Sequence, residues 1–434
     1  MKTGRWLLLL VFNIALPAWS ADPPKAPVPP SPYIGVIYRY ADTMLAKGRD
    51  TVGPQKTGLF LSALDRTALA PLTSRPQAPA GVREADRAGD PLTGANAQHD
   101  ENLLRLLYTL SELSSKPIYR DAADAELKLS LTGTAQPGLF VAWDTVKDEV
   151  IKKDGSSALE VFRPWMLWDR CFDLAPDPSK QLASASPGDK LDSPREAGFC
   201  VRKWAVGYAR TKDGQFLRAI EGLLERFEKQ RPASFASSLS MAIDFDGAAL
   251  RLPEPLASRL RTFAAREDEA FCALPHDLKQ KGGFASPAGL TSQWEEKEGT
   301  RTTAAVALMC LARYENTGST AYRDLITAAA ESYLDSPLPE NLDLWPLTLG
   351  HAVSLQVAAW RHTARPAHLE HARRLADLAV EKFWGTSPLP RASLKSEHYE
   401  SLTGAGTLAL ALAELHLNIL HITAVRCPPN TIDR

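Results

Sequence analysis

The sequence predicts an all-α protein, a closed ring of helical hairpins of the (α/α)6 toroid type. An open helical-repeat solenoid is the alternative with the same local pattern. Three observations carry this expectation: apolar residues recur at helical spacing along most of the chain, strand-type alternation is scarce, and one hairpin-like segment recurs four times.

The helical period is plainest in two stretches. From Asn102 to Leu113, leucines at 103, 106, 107, 110 and 113 make one apolar face. From Thr407 to Leu417 the chain is apolar on nearly every side, as a fully buried helix is. The repeat appears when residues 111–127, 208–224, 314–330 and 360–376 are laid together. Each starts at the end of an apolar helix, passes a polar turn, and reaches a ring residue eight positions on: Tyr119, Phe216, Tyr322 and His368. Apolar or small residues follow at three and four positions further, with His371 the exception. A short turn makes two helices antiparallel, and the ring packs where the second begins. The ring positions lie 97, 106 and 46 residues apart. A unit of roughly fifty residues fits if two disguised hairpins sit in the longer gaps, around 163–174 and 256–272.

In chain order, residues 1–20 read as a secretory signal. Lys2 and Arg5 precede an apolar run to Leu16, and Ala18-Trp19-Ser20 offers small residues at the cleavage positions. The run is shorter than the ~18 residues of a span, and an uncleaved anchor is the alternative. Residues 21–32 are a proline-rich linker. The toroid domain then covers 33–426, with a C-terminal tail at 427–434. A first hairpin is expected in 33–69 and the last inner helix in 399–420. Residues 70–97, 175–197 and 231–255 read as long loops. Asp244-Phe245-Asp246-Gly247 resembles the start of a calcium loop, but Pro255 stands where that loop needs an acid, so it reads as a turn.

The 434 residues are 44% hydrophobic and 23% charged, with a formal net charge of −1, which becomes −3 once Lys2 and Arg5 are removed. No basic field points to nucleic acid. Five cysteines, an odd number, leave at least one thiol free or paired between chains, and no clustered spacing suggests zinc. No cofactor or metal is expected. No membrane span is expected in the mature chain, which is read as exported to the periplasm, the cell surface or the medium.

Residues Tyr314–Ala330, His99–Leu113 and His398–Leu420 together resemble carbohydrate-active enzymes built on the (α/α)6 toroid: six-hairpin glycosidases, polysaccharide lyases and sugar 2-epimerases. The resemblance is architectural. It implies a polysaccharide or oligosaccharide as partner, and a cleft lined by the inner-helix ends and their loops.

Several stretches supply candidates for that cleft. In Phe162–Phe172, Trp165, Trp168, Asp169 and Phe172 share a helical face, with Arg163 on another; flat rings suit the apolar face of a sugar, and a core face is the plain alternative. His99 and Asp100 stand before the Leu103 helix as an acid/base pair or as a cap. Arg202, Lys203 and Trp204 suit an anionic group or a solvated face. Trp294 and Arg301 precede another apolar helix that Thr300 or Thr302 caps; Glu295 and Glu296 beside them suit a helix start. His351 lies on an apolar helix as a core residue. His398 and Tyr399 precede a helix loosened by Gly404 and Gly406, glycines that permit close approach.

The reading that follows is a secreted enzyme that cleaves a uronate-containing glycan by β-elimination. His99, His398 and Tyr399 would move protons, and Arg163, Arg202 or Lys203 would neutralise the carboxylate. Glycoside hydrolysis by two carboxylates, such as Asp100 and Asp169 or Glu295 and Glu296, is the alternative, and a non-catalytic glycan- or protein-binding repeat is a third reading.

Overall fold

The protein is described by a computed structural model at residues 31–52, 54–83, 94–132, 143–145, 147, 149–150, 164–185, 191–425, 427–428 and 430. The signal and most of the linker lie outside these residues, as does Arg163. The helices are α1 (33–47), α2 (101–114), α3 (117–132), α4 (168–174), α5 (176–184), α6 (194–211), α7 (214–228), α8 (236–249), α9 (256–272), α10 (303–317), α11 (320–334), α12 (346–363), α13 (366–379) and α14 (405–419). Short strands are β1 (63–64), β2 (94–95), β3 (143–144), β4 (149–150), β5 (285–286), β6 (289–290) and β7 (399–400).

The four repeated segments are four equivalent turns. Ser115, Lys212, Gly318 and Ala364 each end an inner helix in the left-handed conformation, with φ of 57, 57, 67 and 53°. Tyr119, Phe216, Tyr322 and His368 are each the third residue of the next helix, and each is buried. The left-handed residue reverses the chain within two residues, and the ring fills the corner.

Packing closes the ring. Helices α2, α14, α12, α10, α8 and α6 pack successively on one another as an inner layer. The short pair α4–α5 spans from α3 to α6 and completes the circuit. Outside stand α3, α7, α9, α11 and α13, and α1 packs on both α14 and α2. The sixth pair is therefore made by the first and last helices of the described chain. This is the closed (α/α)6 toroid with one additional short pair, and not an open solenoid. Its base is tied by Arg313 of α10, which is almost fully buried. Arg313 reaches Asp246 of α8 at 2.8 Å and Asp268 of α9 at 2.6 Å, while Tyr322 of α11 donates to Asp268 at 2.5 Å.

Five local expectations are corrected. The described residues of 33–69 hold one helix, α1, because its partner is α14 and not a neighbour in sequence. The stretch 175–197 contains α5 and the start of α6, and 231–255 contains the inner helix α8. Asp244–Gly247 is helical, since Asp244 pairs with Arg202 and Asp246 with Arg313 inside the ring. Helix α4 starts at Trp168, so Trp165 precedes the helix and does not share its face with Trp168, Asp169 and Phe172.

Candidate active site

The connections set the address of the site. Turns at the inner-to-outer ends are short, whereas the segments leading into α2, α10 and α14 are long. Since the inner helices run parallel, their starts share one face of the ring, and the long segments gather there.

On that face Asp100 meets two tyrosines from distant parts of the chain. Tyr40 of α1 and Tyr399 of β7 place their hydroxyls 3.1 Å apart, both fully buried. Burial raises the pKa of both, and the nearby Asp100 charge raises it further, so both hydroxyls stay protonated at neutral pH. Asp100 is itself only 1% exposed. It occupies the residue before α2 but makes no side-chain cap bond, so the capping reading does not account for it. Gly94-Ala95, shortly before it in the chain, is strand β2.

The two residues that flank Tyr399 in sequence form a second pair. His398 Nε2 lies 2.8 Å from Glu400 Oε2, with both side chains more than nine-tenths buried. Strand pairing fixes them: Ala63 of β1 faces Glu400 and Leu64 faces Tyr399. Gly404, at φ +88°, then turns the chain into α14 where a Cβ would strike Leu347 at 2.7 Å. Gly406 lets α14 approach α2 so closely that a Cβ would lie 2.7 Å from the Leu103 nitrogen. These glycines hold the Tyr399 segment against the start of α2. The neighbouring Glu101 carboxylate accepts from the Met166 amide at 2.6 Å. Asn102 donates to Thr407 at 2.9 Å and accepts from Arg105 at 2.8 Å.

Of the residues expected from sequence, His99, Asp100, His398 and Tyr399 come to this loop face. His99 is half-buried, with its amide on the Asn96 carbonyl. Asp169 lies nearer the opposite end, ion-paired with Arg210 in the last turn of α6 and with Arg251 just past α8. Trp165, Trp168, Asp169, Arg202 and Arg251 line a crevice of about 40 Å3, which is room for water and too small for a sugar ring. Trp165 donates to Cys171 Sγ at 3.4 Å. Arg202 is engaged by Asp244 at 2.6 Å, and Lys203 donates to the Ala185 carbonyl at 3.3 Å. Trp204 faces outward into a groove of about 370 Å3 beside Leu191, Phe216 and Arg226. Trp294 donates to Ser336 at 2.8 Å and stands edge-on to Tyr333; Arg301 precedes the Thr302 cap of α10, in the Trp294 segment. His351 is buried in α12.

Sequence reasoning passed over Tyr40, Glu101, Asn102 and Arg105. Tyr40 falls on the apolar face of α1 with Ile37, Ala41 and Met44, so spacing alone makes it core.

No protein-family model matches the chain, and no curated protein matches it. Among solved structures it is similar to a D-mannose isomerase, at 8% identity over 88% of this chain and 96% of that one, TM-score 0.49. It is also similar to the GH76A alpha-1,6-mannanase of Salegentibacter sp., at 11% identity over 89% and 99%, TM-score 0.47. A third is the cellobiose 2-epimerase of Bacillus thermoamylovorans, at 10% identity over 87% and 98%, TM-score 0.46.

Proposed function

We propose that the protein is an exported carbohydrate-active enzyme working at the loop face of its ring, and that it cleaves a uronate-containing polysaccharide by β-elimination. The observation that supports this is the His398–Glu400 pair beside the Tyr40–Tyr399 hydroxyl pair. With Glu400 accepting from Nε2–H, the other ring nitrogen of His398 carries the lone pair of a base. It takes the C5 proton of the uronate. The electrons of the C–H bond form the C4–C5 double bond, and the C4–O bond breaks. The departing oxygen takes a proton from Tyr399, whose hydroxyl is protonated at neutral pH and stands 3.1 Å from that of Tyr40. Arg105, oriented by Asn102, is the described cation of α2 that the uronate carboxylate would meet.

Glycoside hydrolysis is the second reading, favoured by Asp100 and Glu101 as adjacent buried carboxylates at the same helix start. The test incubates the mature protein with acidic and neutral polysaccharides, following both ultraviolet absorbance of a new unsaturated uronate and new reducing ends. Elimination gives both signals. Reducing ends alone mean hydrolysis, and silence across the panel, from the mature protein and from one shortened at its C-terminus, removes both readings.

A further inference from the structure

The chain does not stop at the base of the ring. After α14 ends at Ile419, Ile422 closes back on the Leu417 carbonyl and the His421 ring stands 6.2 Å from Trp360 in the last turn of α12. The chain then reverses. Cys427 lies against the Leu410 carbonyl at 3.6 Å, and burial, with the Glu414 charge next, pushes its thiol pKa up. Asn430, 3% exposed, reaches the starts of the inner helices. Its carbonyl accepts from Asn102 of α2 at 3.3 Å. Its amide donates to Ser354 of α12 at 3.0 Å and to the Thr407 carbonyl of α14 at 3.4 Å.

Thr407 stands twelve residues before Ile419, so the tail climbs about 18 Å along α14 at the helical rise of ~1.5 Å per residue. The side it climbs is fixed by its neighbours. Helices α2, α14 and α12 are successive members of the inner layer, and their outer sides carry α3, α1 and α13. A segment that touches all three at once lies on the lumen side. The same lumen face continues below it as Arg361 of α12, set between Glu315 of α10 and Glu414 of α14.

We propose that the tail described at residues 420–425, 427–428 and 430 is an intramolecular occupant of the central channel, and that a glycan reaches Asn102, Arg105, Ser354 and Thr407 only when this tail withdraws. The Asn430 amide presents to that lining one acceptor and two donors, the kind of group a sugar hydroxyl or acetamido would offer. The gating role rests on the glycan reading above; the seating of the tail does not.

Two measurements separate them. In the mature chain, alkylation of Cys427 is timed against Cys272, which is exposed and serves as the internal reference. A seated tail makes Cys427 react at least tenfold more slowly, and Asn430→Ala brings the two rates together. Equal rates in the unmodified chain overturn the seating. Next, the mature chain, a chain ending at His421 and Asn430→Ala are assayed on the polysaccharide panel. A tenfold or greater gain in rate or affinity on shortening, with a smaller gain for Asn430→Ala, supports the gate. Activity equal in all three overturns it. Should the shortened chain not melt cooperatively, the Asn430→Ala comparison decides. Silence from all three, with Cys427 still slow, overturns the glycan reading and the gate with it, and leaves the tail as a structural plug.

Discussion

Asp100 has a surrounding assembled from α1, from β7 and from its own helix start, and its charge is felt by two hydroxyls that cannot ionise at neutral pH. Asp100→Asn keeps the shape and removes that charge. Under hydrolysis the expected result is a rate loss of about 10²–10⁴-fold with an unchanged melting midpoint, read by the paired product assays, whereas elimination, in which Asp100 moves no proton, keeps most of its rate. His398→Ala is expected to lose as much by elimination; retention of full rate would remove His398 as the base. A different carboxyl carries a pH signature. Glu126 of α3 is fully buried, accepts the Phe60 amide at 2.9 Å, and burial pushes its pKa up from 4.5 to about 8. The folded state thus holds a proton that the unfolded chain releases. This stabilisation is complete below pH 4.5 and is lost as pH rises through about 8. Over that window the loss is of the order of 3–5 kcal/mol. Glu126→Gln should flatten the fall of melting temperature with pH, raising it at pH 9 and not at pH 5. The sequence displayed His99, Asp100, His398 and Tyr399 because each stands where an apolar run begins. It hid Tyr40 and Asn102, whose spacing is that of core, and it advertised Asp169 and Arg202, whose charges are spent on Arg210, Arg251 and Asp244.

Between elements, the inner layer is set by glycine. A Cβ on Gly350 of α12 would lie 2.9 Å from the Leu408 Cα, and one on Gly406 would lie 2.7 Å from the Leu103 nitrogen. Backbone cannot yield as a side chain tip does, so Gly406→Ala should destabilise by about 1–3 kcal/mol even though alanine favours the helix. Gly222 of α7 is exposed and a Cβ there meets nothing within 4 Å, so Gly222→Ala should stabilise by about 0.5–1 kcal/mol. Urea midpoints moving in opposite directions would separate close approach from helix propensity. The elements legible in sequence were those with two unlike faces or a marked turn. The four left-handed turns repeat because each joins an inner to an outer helix across the same short gap. Helix α8 was illegible because it is buried on nearly all sides and mixes Ala, Ser and Asp with single Leu, Met, Ile, Phe and Gly residues, so no apolar stripe stands against a polar one.

At the scale of the whole molecule, the ring is closed by pieces from opposite ends of the chain. Helix α1 lies against α14 and α2, and its side chains hold three further elements. Tyr33 donates to Asp377 of α13 at 2.8 Å, Asp42 accepts from Tyr119 of α3 at 2.8 Å, and Tyr40 meets Tyr399. No local pattern in 33–47 announces this, because a partner at the far end of the chain leaves the same amphipathic stripe as a near one. An open repeat array tolerates loss of a terminal unit, since each unit contacts only its neighbours. A closed ring does not, because its terminal unit is also an interior one. A chain beginning at Gly48 uncovers the outer side of α14, a helix apolar on nearly every face. It should lose the single cooperative transition of the mature protein and associate through that surface. A peptide of residues 31–47 added in trans should restore both the transition and the monodisperse species, as followed by circular dichroism melting and light scattering. A shortened chain that melts once, near the midpoint of the mature protein, would mean that α1 is applied to a ring already closed without it.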